Sequence, residues 1–309
     1  MRQLAEARFW RLKVVNKTAN NSQINMHAAI SSTKWPAEAI WEAVAPILPG
    51  FTVEVLPEIG STNTELMRRA RAGQTAPVLL VAEKQTAGRG RLGREWHDLA
   101  ERVETLPALT FSLGLPLSPV DWSGLSLAVG VSVAQSLHPK IGLKWPNDLW
   151  VSTEKSDRKL AGILIETCAV QAMSHGKQRY VVIGVGINIT EPTTSLSADQ
   201  PQLRTPAAWL QELLPACTAA DVLQRIALPL IQTILTFEEQ GFQPFQHRFN
   251  ALDVLRDRRV SIENHQLETS SNMKTTGVAH GVNEKGELIL QTVQGKQLVN
   301  SAEVSVKPL

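Results

Sequence analysis

One glycine- and arginine-rich segment organises the rest of this sequence: Glu83-Lys84-Gln85-Thr86-Ala87-Gly88-Arg89-Gly90-Arg91-Leu92-Gly93-Arg94-Glu95-Trp96. The apolar run Val78 to Ala82 precedes it and predicts a buried strand, so the segment should be a mobile loop at the end of a sheet strand. Glycines let the backbone turn and come close to a ligand, while arginines bring charge and forked donors. The pattern therefore favours a loop that binds an anion.

The loop has three other interpretations. Disordered Arg-Gly segments that bind nucleic acids are usually repeated tracts, whereas this run is short and lies between a strand and Trp96. A phosphate-binding Walker loop would end in Gly-Lys-Ser or Gly-Lys-Thr, which is missing here. A solvated loop without function remains possible on these residues alone.

The composition is that of an ordinary globular protein. The chain has 309 residues, 43% hydrophobic and 19% charged, which is enough for a large core and more than one domain. Its 31 basic and 29 acidic residues nearly balance, which argues against a protein that coats duplex nucleic acid. Only Cys168 and Cys217 are present, so a disulfide framework and a cysteine-built metal site are not expected.

Localisation follows from the same features. No apolar run approaches the about 20 residues that a membrane span needs, and polar residues such as Lys13 and Asn16 interrupt any signal-like stretch. We expect a cytoplasmic protein that does not bind membranes.

The spacing of apolar residues predicts an α+β protein with a mixed β-sheet and packed helices. Residues 1–52 are expected to form a partly flexible N-terminal extension without a helix-turn-helix unit, and residues 53–251 a catalytic domain. After Asp253 the pattern changes to short strands separated by turns, which predicts a small five-stranded barrel over residues 252–309. The other predicted elements are strands at Val53–Val55, Leu109–Leu115, Ile141–Trp145 and Arg179–Ile187, and helices at Pro36–Leu48, Leu125–Leu137, Ala219–Glu239 (kinked at Pro229) and from Thr62 and Trp209 onwards.

Polar residues cluster where these elements begin or end, and each cluster has a plain structural explanation. Thr62 and Glu65 form a capping box, so Ser61-Thr62-Asn63 could be only a helix start. Lys144-Trp145-Pro146-Asn147-Asp148 could be a proline turn. Lys159, between a polar tip at Ser152–Lys159 and a buried strand, could be a solvated charge. Gly184-Val185-Gly186-Ile187-Asn188 lacks the third glycine and the helix of a dinucleotide fingerprint, so we reject a Rossmann site.

Taken together, five motifs in this order resemble those of the biotin protein ligase family: Ser61–Asn63, Gln85–Trp96, Lys144–Asp148, Arg158–Glu166 and Gly184–Asn188. The resemblance covers about residues 55 to 190. It implies a catalytic domain like that of class II aminoacyl-tRNA synthetases and biotin ligases, followed by an SH3-like C-terminal domain.

The resemblance also implies a reaction in two steps. Biotin and ATP, with Mg²⁺ accompanying the ATP, give biotinyl-5′-adenylate and pyrophosphate, and a lysine of a biotin carboxyl carrier protein domain of acetyl-CoA carboxylase then takes the biotin. Elementary chemistry agrees, because a carboxylate and a triphosphate repel each other and need cations between them. A loop must also keep water from the reactive anhydride. No DNA partner is expected, the protein should be a monomer or homodimer, and no metal ligands are indicated.

The resemblance assigns roles to individual positions of this sequence. Lys159, Arg91 and Arg89 are the expected catalytic residues. Biotin binding is expected from Ser61, Thr62, Asn63, Gln85, Gly88, Arg89, Gly90, Arg91, Ser112, Lys159, Gly162 and Gly186. ATP binding is expected from Arg91, Arg94, Lys144, Asn147, Asp148, Lys159, Asn188 and Trp209, of which Trp209 could stack on adenine.

Two departures from the family pattern and two rival functions accompany this interpretation. Residues 97–107 are longer than the family's usual continuation after Trp96, and the missing helix-turn-helix predicts a monofunctional ligase without repressor activity. One rival is a lipoate ligase or acyltransferase of the same fold, against which the glycine–arginine loop argues. The other is a non-catalytic biotin-sensing or nucleic-acid-binding module, against which the balanced charge and the nucleotide-side residues argue.

Overall fold

The computed structural model describes residues 33–96, 106–154, 156–169, 178–191, 205–264, 274–300 and 304–309. The expected flexible segment at the N-terminus and the unusual segment after Trp96 lie largely outside these residues, at 1–32 and 97–105. None of the described helices is both long enough and apolar enough to cross a membrane.

The first half of the chain alternates helices and strands. Its elements are α1 (Ala37–Val44), β1 (Thr52–Leu56), α2 (Thr62–Arg71), β2 (Val78–Ala82), β3 (Gly88–Arg89), β4 (Glu95–Trp96), β5 (Ala108–Leu117), α3 (Leu125–Leu137), β6 (Ile141–Lys144), β7 (Asp148–Ser152) and β8 (Asp157–Ala169). The second half contains β9 (Arg179–Asn188), α4 (Ala219–Gln240), α5 (Gln243–Leu252), β10 (Arg259–Asn264), β11 (Lys274–Val282), β12 (Leu288–Thr292), β13 (Gly295–Val299) and β14 (Val304–Pro308).

A seven-stranded mixed sheet forms the centre of the molecule. Its strand order is β1-β2-β5-β9-β8-β7-β6, with β1 and β2 parallel and every other neighbouring pair antiparallel. Strands β5 and β9 are buried along almost their whole length because helices cover both faces of the sheet there. The predicted mixed sheet with packed helices is confirmed.

The two faces of the sheet are covered differently. Ten of the thirteen residues of α3 are buried, because this helix lies between the sheet and α4. Helix α2 covers the opposite face, where Leu66, Met67 and Ala70 pack with Leu80 and Val182 in a separate apolar cluster. The first turn of α2 is thereby fixed beside the central strands, which decides where its polar residues point.

The C-terminal strands form a five-stranded antiparallel sheet with the order β13-β12-β11-β10-β14, and the five predicted strands are confirmed. This sheet is held against the catalytic part by buried and charged contacts. The Trp145 indole Nε1 donates to the Gly286 carbonyl at 3.0 Å, and Arg258 pairs with Asp157 at 2.7 Å. The C-terminal sheet therefore supports the Lys144–Asp148 turn directly.

Helix α2 begins differently from the prediction. Ser61, not Thr62, is the N-cap, and its hydroxyl accepts from the Thr64 amide at 3.4 Å. Glu65 turns to the helix surface instead of closing a capping box, and its hydrogen bond with Arg68, assisted by Arg69, lowers its pKa to about 2. The Thr62 hydroxyl consequently does not cap the helix and donates to Gln85 instead.

Two further predictions were wrong in their boundaries. The polar residues 152–159 do not form one long tip: β7 runs to Ser152 and β8 already begins at Asp157, because Arg258 pairs with Asp157 and Glu212 with Arg158. The helical region expected from Trp209 is only a 3₁₀ turn at Leu210–Glu212, and α5 was not predicted. The assignment of domains remains a prediction.

Candidate active site

The described residues enclose a cleft of about 610 Å³ above the central strands of the large sheet. The chain segments that line it include the first turn of α2, the loop from Arg89 to Trp96, the turn between β6 and β7, and strands β8 and β9. The predicted site residues that line it are Ser61, Thr62, Asn63, Gln85, Arg89, Gly90, Arg91, Arg94, Lys144, Asn147, Asp148, Lys159, Gly162 and Gly186.

One side of the cleft is a polar wall formed by Ser61, Thr62, Asn63 and Gln85. The three α2 residues are each at most 6% exposed. The Gln85 Oε1 accepts from the Thr62 amide at 2.8 Å and from the Thr62 hydroxyl at 3.2 Å. These bonds fix the end of β2 against the start of α2, so the wall is built before any ligand arrives.

Asn63 is held at both ends of its amide. Its Nδ2 donates to Glu166 Oε2 at 3.0 Å and to the Leu164 carbonyl at 3.3 Å, while its Oδ1 accepts from the Ser112 hydroxyl at 2.6 Å. Both amide protons are therefore used within the protein, and only the oxygen has a lone pair left for a ligand N–H.

Ser112 does not line the cleft. It is fully buried behind the wall, where its oxygen lies 2.7 Å from Thr62 Oγ1 and 2.6 Å from Asn63 Oδ1. Because a hydroxyl has one proton, Ser112 supports the wall by donating to one of the two oxygens at a time. The structure thus places this predicted biotin residue in a supporting position.

Glycines on β8 and β9 leave room for side chains on the sheet face of the cleft. A Cβ at Gly186 would lie 2.6 Å from the Trp96 ring, and one at Gly162 would lie 3.2 Å from Lys159 Nζ and 3.4 Å from Trp96. Gly184 gives the corresponding space to Asn63. The glycines of these two predicted motifs are required for close approach of neighbouring groups, not for turns.

The opposite side of the cleft is a basic cluster, consisting of Arg91, Arg94, Lys144 and Lys159 around Asp148. Lys159 Nζ lies 2.7 Å from Asp148 Oδ1, and Lys144 Nζ lies 3.8 Å from Oδ2 of the same carboxylate. Four cations around one anion leave a surplus of positive charge. An anionic ligand would compensate that surplus.

The pKa values of two members of the cluster reflect this surplus. Burial lowers the pKa of Lys144, Asp148 opposes that effect, and the neighbouring Lys159, Arg94 and Arg91 lower the pKa further. Burial likewise lowers the pKa of Arg91, with Asp148 opposing. Burial and the neighbouring cations thus destabilise the charged forms, and a bound anion would offset this effect.

Lys159 is positioned through its backbone. Its amide donates to the Pro206 carbonyl and its carbonyl accepts from the Ala208 amide, both at 2.8 Å. The Asn188 side chain donates to the same Lys159 carbonyl at 3.3 Å and to the Ala208 carbonyl at 3.2 Å. Asn188 therefore holds the strand that carries Lys159 and does not itself line the cleft.

The predicted loop is a hairpin rather than an irregular coil. Strands β3 and β4 pair, the Gly90 amide donates to the Arg94 carbonyl at 2.7 Å, and Leu92 at the tip has a left-handed φ of 57°. Arg91 reaches the Asn147 side chain at 3.5 Å, and Arg89 pairs with Glu166 at 3.2 Å. The arginines thus point to different parts of the cleft.

Gly88 and Trp209, like Ser112 and Asn188, are not among the lining residues. Prediction missed lining residues of two kinds. Trp96 belongs to a motif that was recognised, and Trp150 lies two residues after another, where Lys144 Nζ is 5.2 Å from its ring centre. Val306, Lys307 and Pro308 come from β14, far along the chain, and no local pattern marked them.

Among the described residues, no three His, Cys, Asp or Glu side chains are grouped to hold a metal ion.

Comparison with known proteins identifies this arrangement. The family profile of the biotin/lipoate A/B protein ligases matches residues 55–188. The sequence is 32% identical over 259 residues to the biotin–[acetyl-CoA-carboxylase] ligase of Mycobacterium tuberculosis, and the match covers 81% of this chain and 86% of that protein. The chain belongs to the biotin protein ligase family.

Two other relatives agree. This ligase is 32% identical to the bifunctional ligase/repressor BirA of Escherichia coli, over 79% of this chain and 70% of that protein. Its fold superposes on the Aquifex aeolicus biotin protein ligase in complex with biotin and ATP with a TM-score of 0.62 and 26% identity, covering 83% of this chain and 99% of the other.

Proposed function

We propose that this ligase activates biotin with ATP in the cleft and transfers the biotin to a lysine of a biotin carboxyl carrier protein domain. The activity is that of a biotin–[acetyl-CoA-carboxylase] ligase. The observation that carries the proposal is the pairing, within one cleft, of a neutral polar wall with a basic cluster of four cations around one carboxylate.

In the first step, a carboxylate oxygen of biotin attacks the α-phosphorus of ATP, a P–O bond forms, and the bond to the β-phosphate breaks to release pyrophosphate. The polar wall and Gln85 would hold the ureido end of biotin. Lys159 would lie between the carboxylate and the α-phosphate, since its ammonium group is kept in the cleft by Asp148. Lys144 and Arg94 would bind the phosphates.

In the second step, the amine of the acceptor lysine attacks the acyl carbon, AMP leaves, and the lysine nitrogen loses a proton. The anhydride must survive until the carrier arrives, so water must be excluded. Arg89 and Arg91 on the hairpin are suited to close the cleft over the adenylate, because Arg89 binds Glu166 and Arg91 binds Asn147.

Mg²⁺ enters this scheme as part of the MgATP substrate, held by the triphosphate. Asn188 and Trp209 would act on the nucleotide side indirectly, Asn188 through the Lys159 backbone. We further propose that the ligase works in the cytoplasm without binding DNA, as a monomer or homodimer.

The direct test mixes the protein with MgATP, labelled biotin and a biotin carboxyl carrier domain, and omits each component in turn. We expect pyrophosphate release that needs both biotin and ATP, and label only on the carrier. A carrier variant with arginine at the acceptor lysine is the matched control. Absence of pyrophosphate would favour a biotin-sensing module, and use of lipoate instead of biotin would favour a lipoate ligase.

A further inference from the structure

Glu166 joins the two parts of the cleft that the proposed function assigns to biotin and to the loop. Its Oε2 accepts from Asn63 Nδ2 at 3.0 Å, and its Oε1 accepts from Arg89 Nη1 at 3.2 Å. The side chain is 23% exposed and does not itself line the cleft. One carboxylate therefore holds a buried wall residue with one oxygen and a loop arginine with the other.

A continuous series of hydrogen bonds runs through this carboxylate. Gln85 accepts a hydrogen bond from Thr62. The Ser112 hydroxyl lies within hydrogen-bond distance of both Thr62 and Asn63, and Asn63 donates to Glu166. Glu166 then reaches the hairpin through Arg89, whose side chain is 48% exposed. The polar wall thus positions the Glu166 carboxylate, to which Arg89 of the hairpin binds.

From this geometry we infer that Glu166 is a positioning residue that latches the hairpin to the polar wall. The inference rests on the proposed function. The Leu164 carbonyl and the Ser112 hydroxyl fix the amide plane of Asn63, and its Nδ2 holds Glu166 in the orientation that accepts from Arg89. The latch keeps the adenylate in the cleft and takes no part in the bond-making steps.

Substituting Glu166→Gln separates the two links. The glutamine oxygen can still accept from Asn63, but its NH₂ group then faces the Arg89 guanidinium, donor against donor. We expect biotinyl-adenylate to leave the variant about tenfold faster, the lower end for a hydrogen bond to a charged group at a partly exposed site. The first-turnover rate of pyrophosphate release should change less than about twofold, because the basic cluster is untouched.

The chain offers a matched control in Glu54→Gln. Glu54 also lies on a sheet strand, pairs with Arg69 at 2.8 Å and is 27% exposed, but it does not line the cleft or contact the loop. Its substitution should leave adenylate release unchanged. A second control is the background Arg89→Ala, in which Glu166→Gln should add almost nothing, since the latch is already open.

Adenylate release is measured by chasing labelled biotinyl-adenylate with unlabelled compound. Release as slow as in the wild type, equal acceleration by Glu54→Gln, or full additivity with Arg89→Ala would each overturn the latch. Synthetic adenylate is added directly, so this measurement stands even if the wild type releases no pyrophosphate. That last result would refute the proposed function and leave the latch to be judged on release alone.

Discussion

The polar wall and the basic cluster lie in one cleft, yet they satisfy their polar groups in opposite ways. In the wall, Thr62 and Asn63 are buried and hydrogen-bonded to Gln85, Ser112 and Glu166 before any ligand is present. In the cluster, four cations share Asp148, and burial lowers the pKa of Lys144. A neutral ureido group needs a preformed surface, whereas a polyphosphate can supply the missing charge itself.

The largest effect should come from Lys159→Ala, which removes the cation nearest Asp148. The lysine is useful mainly where charge develops at the α-phosphate, so we expect adenylate formation to fall by about 10² or more while biotin affinity changes little. Pyrophosphate release and biotin titration measure the two quantities. Lys140→Ala, at an exposed position after α3, is the control. Wild-type release in the variant would remove Lys159 from the mechanism.

The second prediction measures what a buried charge costs where no ligand compensates it. Asp253 accepts from the Leu255 amide at 2.9 Å, its other oxygen is buried without a partner, and burial raises its pKa to about 6. Because the folded state binds the proton more tightly than the unfolded state, this group lowers stability as the pH rises from about 4 to 6.

Asp253→Asn should therefore be more stable to denaturant than the wild type at pH 7.5, by on the order of 3 kcal/mol, because the pKa of Asp253 rises from 3.8 to about 6 and one pKa unit corresponds to about 1.4 kcal/mol. The difference should disappear below about pH 4, where the aspartate is protonated in both states. Urea melts of both proteins at the two pH values test this. A constant difference at both would mean that the effect is not electrostatic.

The third prediction concerns the hairpin that spans the wall and the cluster. Arg91→Gly removes a guanidinium that reaches Asn147, but it leaves Lys159 and Asp148 in place. Adenylate synthesis should continue while the intermediate escapes about tenfold more readily, because closure and not chemistry is impaired.

Free adenylate would then label lysines on unrelated proteins. The measurement is a biotin blot of albumin incubated with the variant, ATP and biotin, and Arg256→Gly, at an exposed C-terminal position, serves as the control. An unlabelled bystander, with synthesis intact, would contradict the closing role and leave Arg91 as a phosphate ligand only.

The sequence predicted those features of the fold and the cleft that have a local pattern, but not the contacts between residues far apart in the chain. The fold could be predicted because strands such as Val78–Ala82 and helix α3 have unmistakable apolar patterns. The motif residues were found because the five motifs in this order resemble those of the biotin protein ligase family, although each motif alone had a plain structural explanation. The contacts between those residues could not be predicted. Glu166 binds Asn63, 103 residues away, and Arg89, 77 residues away, and no local sequence pattern indicates such distant pairs.

Local rules also failed at the start of α2. A capping box at Thr62 and Glu65 satisfies the local preferences, but the distant Gln85 binds the Thr62 side chain, and Arg68 and Arg69 on the same helix bind Glu65 instead. Local rules also cannot predict that β14 lines the cleft, because its place there depends on the order of strands in the C-terminal sheet.

The smallest expected effect, that of Ser112→Ala, tests whether the wall is preformed. The substitution removes the hydroxyl that lies between Thr62 Oγ1 and Asn63 Oδ1, but Thr62 keeps Gln85 and Asn63 keeps Glu166. Losing one buried hydrogen bond of about 1 kcal/mol should weaken biotin binding about fivefold. The KM for ATP should stay within about twofold, because the basic cluster is not touched.

Thr110→Val is the matched control for that measurement. Thr110 lies two residues earlier on the same face of β5, is equally buried, and donates to the Ala82 carbonyl at 3.0 Å without contacting the wall. It should lower the stability of the ligase by a similar amount and leave the biotin Kd unchanged. If both variants weaken biotin binding equally, the loss reflects general loosening of β5, and the wall is not specified by Ser112. If only Ser112→Ala does so, the biotin end of the cleft depends on a residue that no ligand touches.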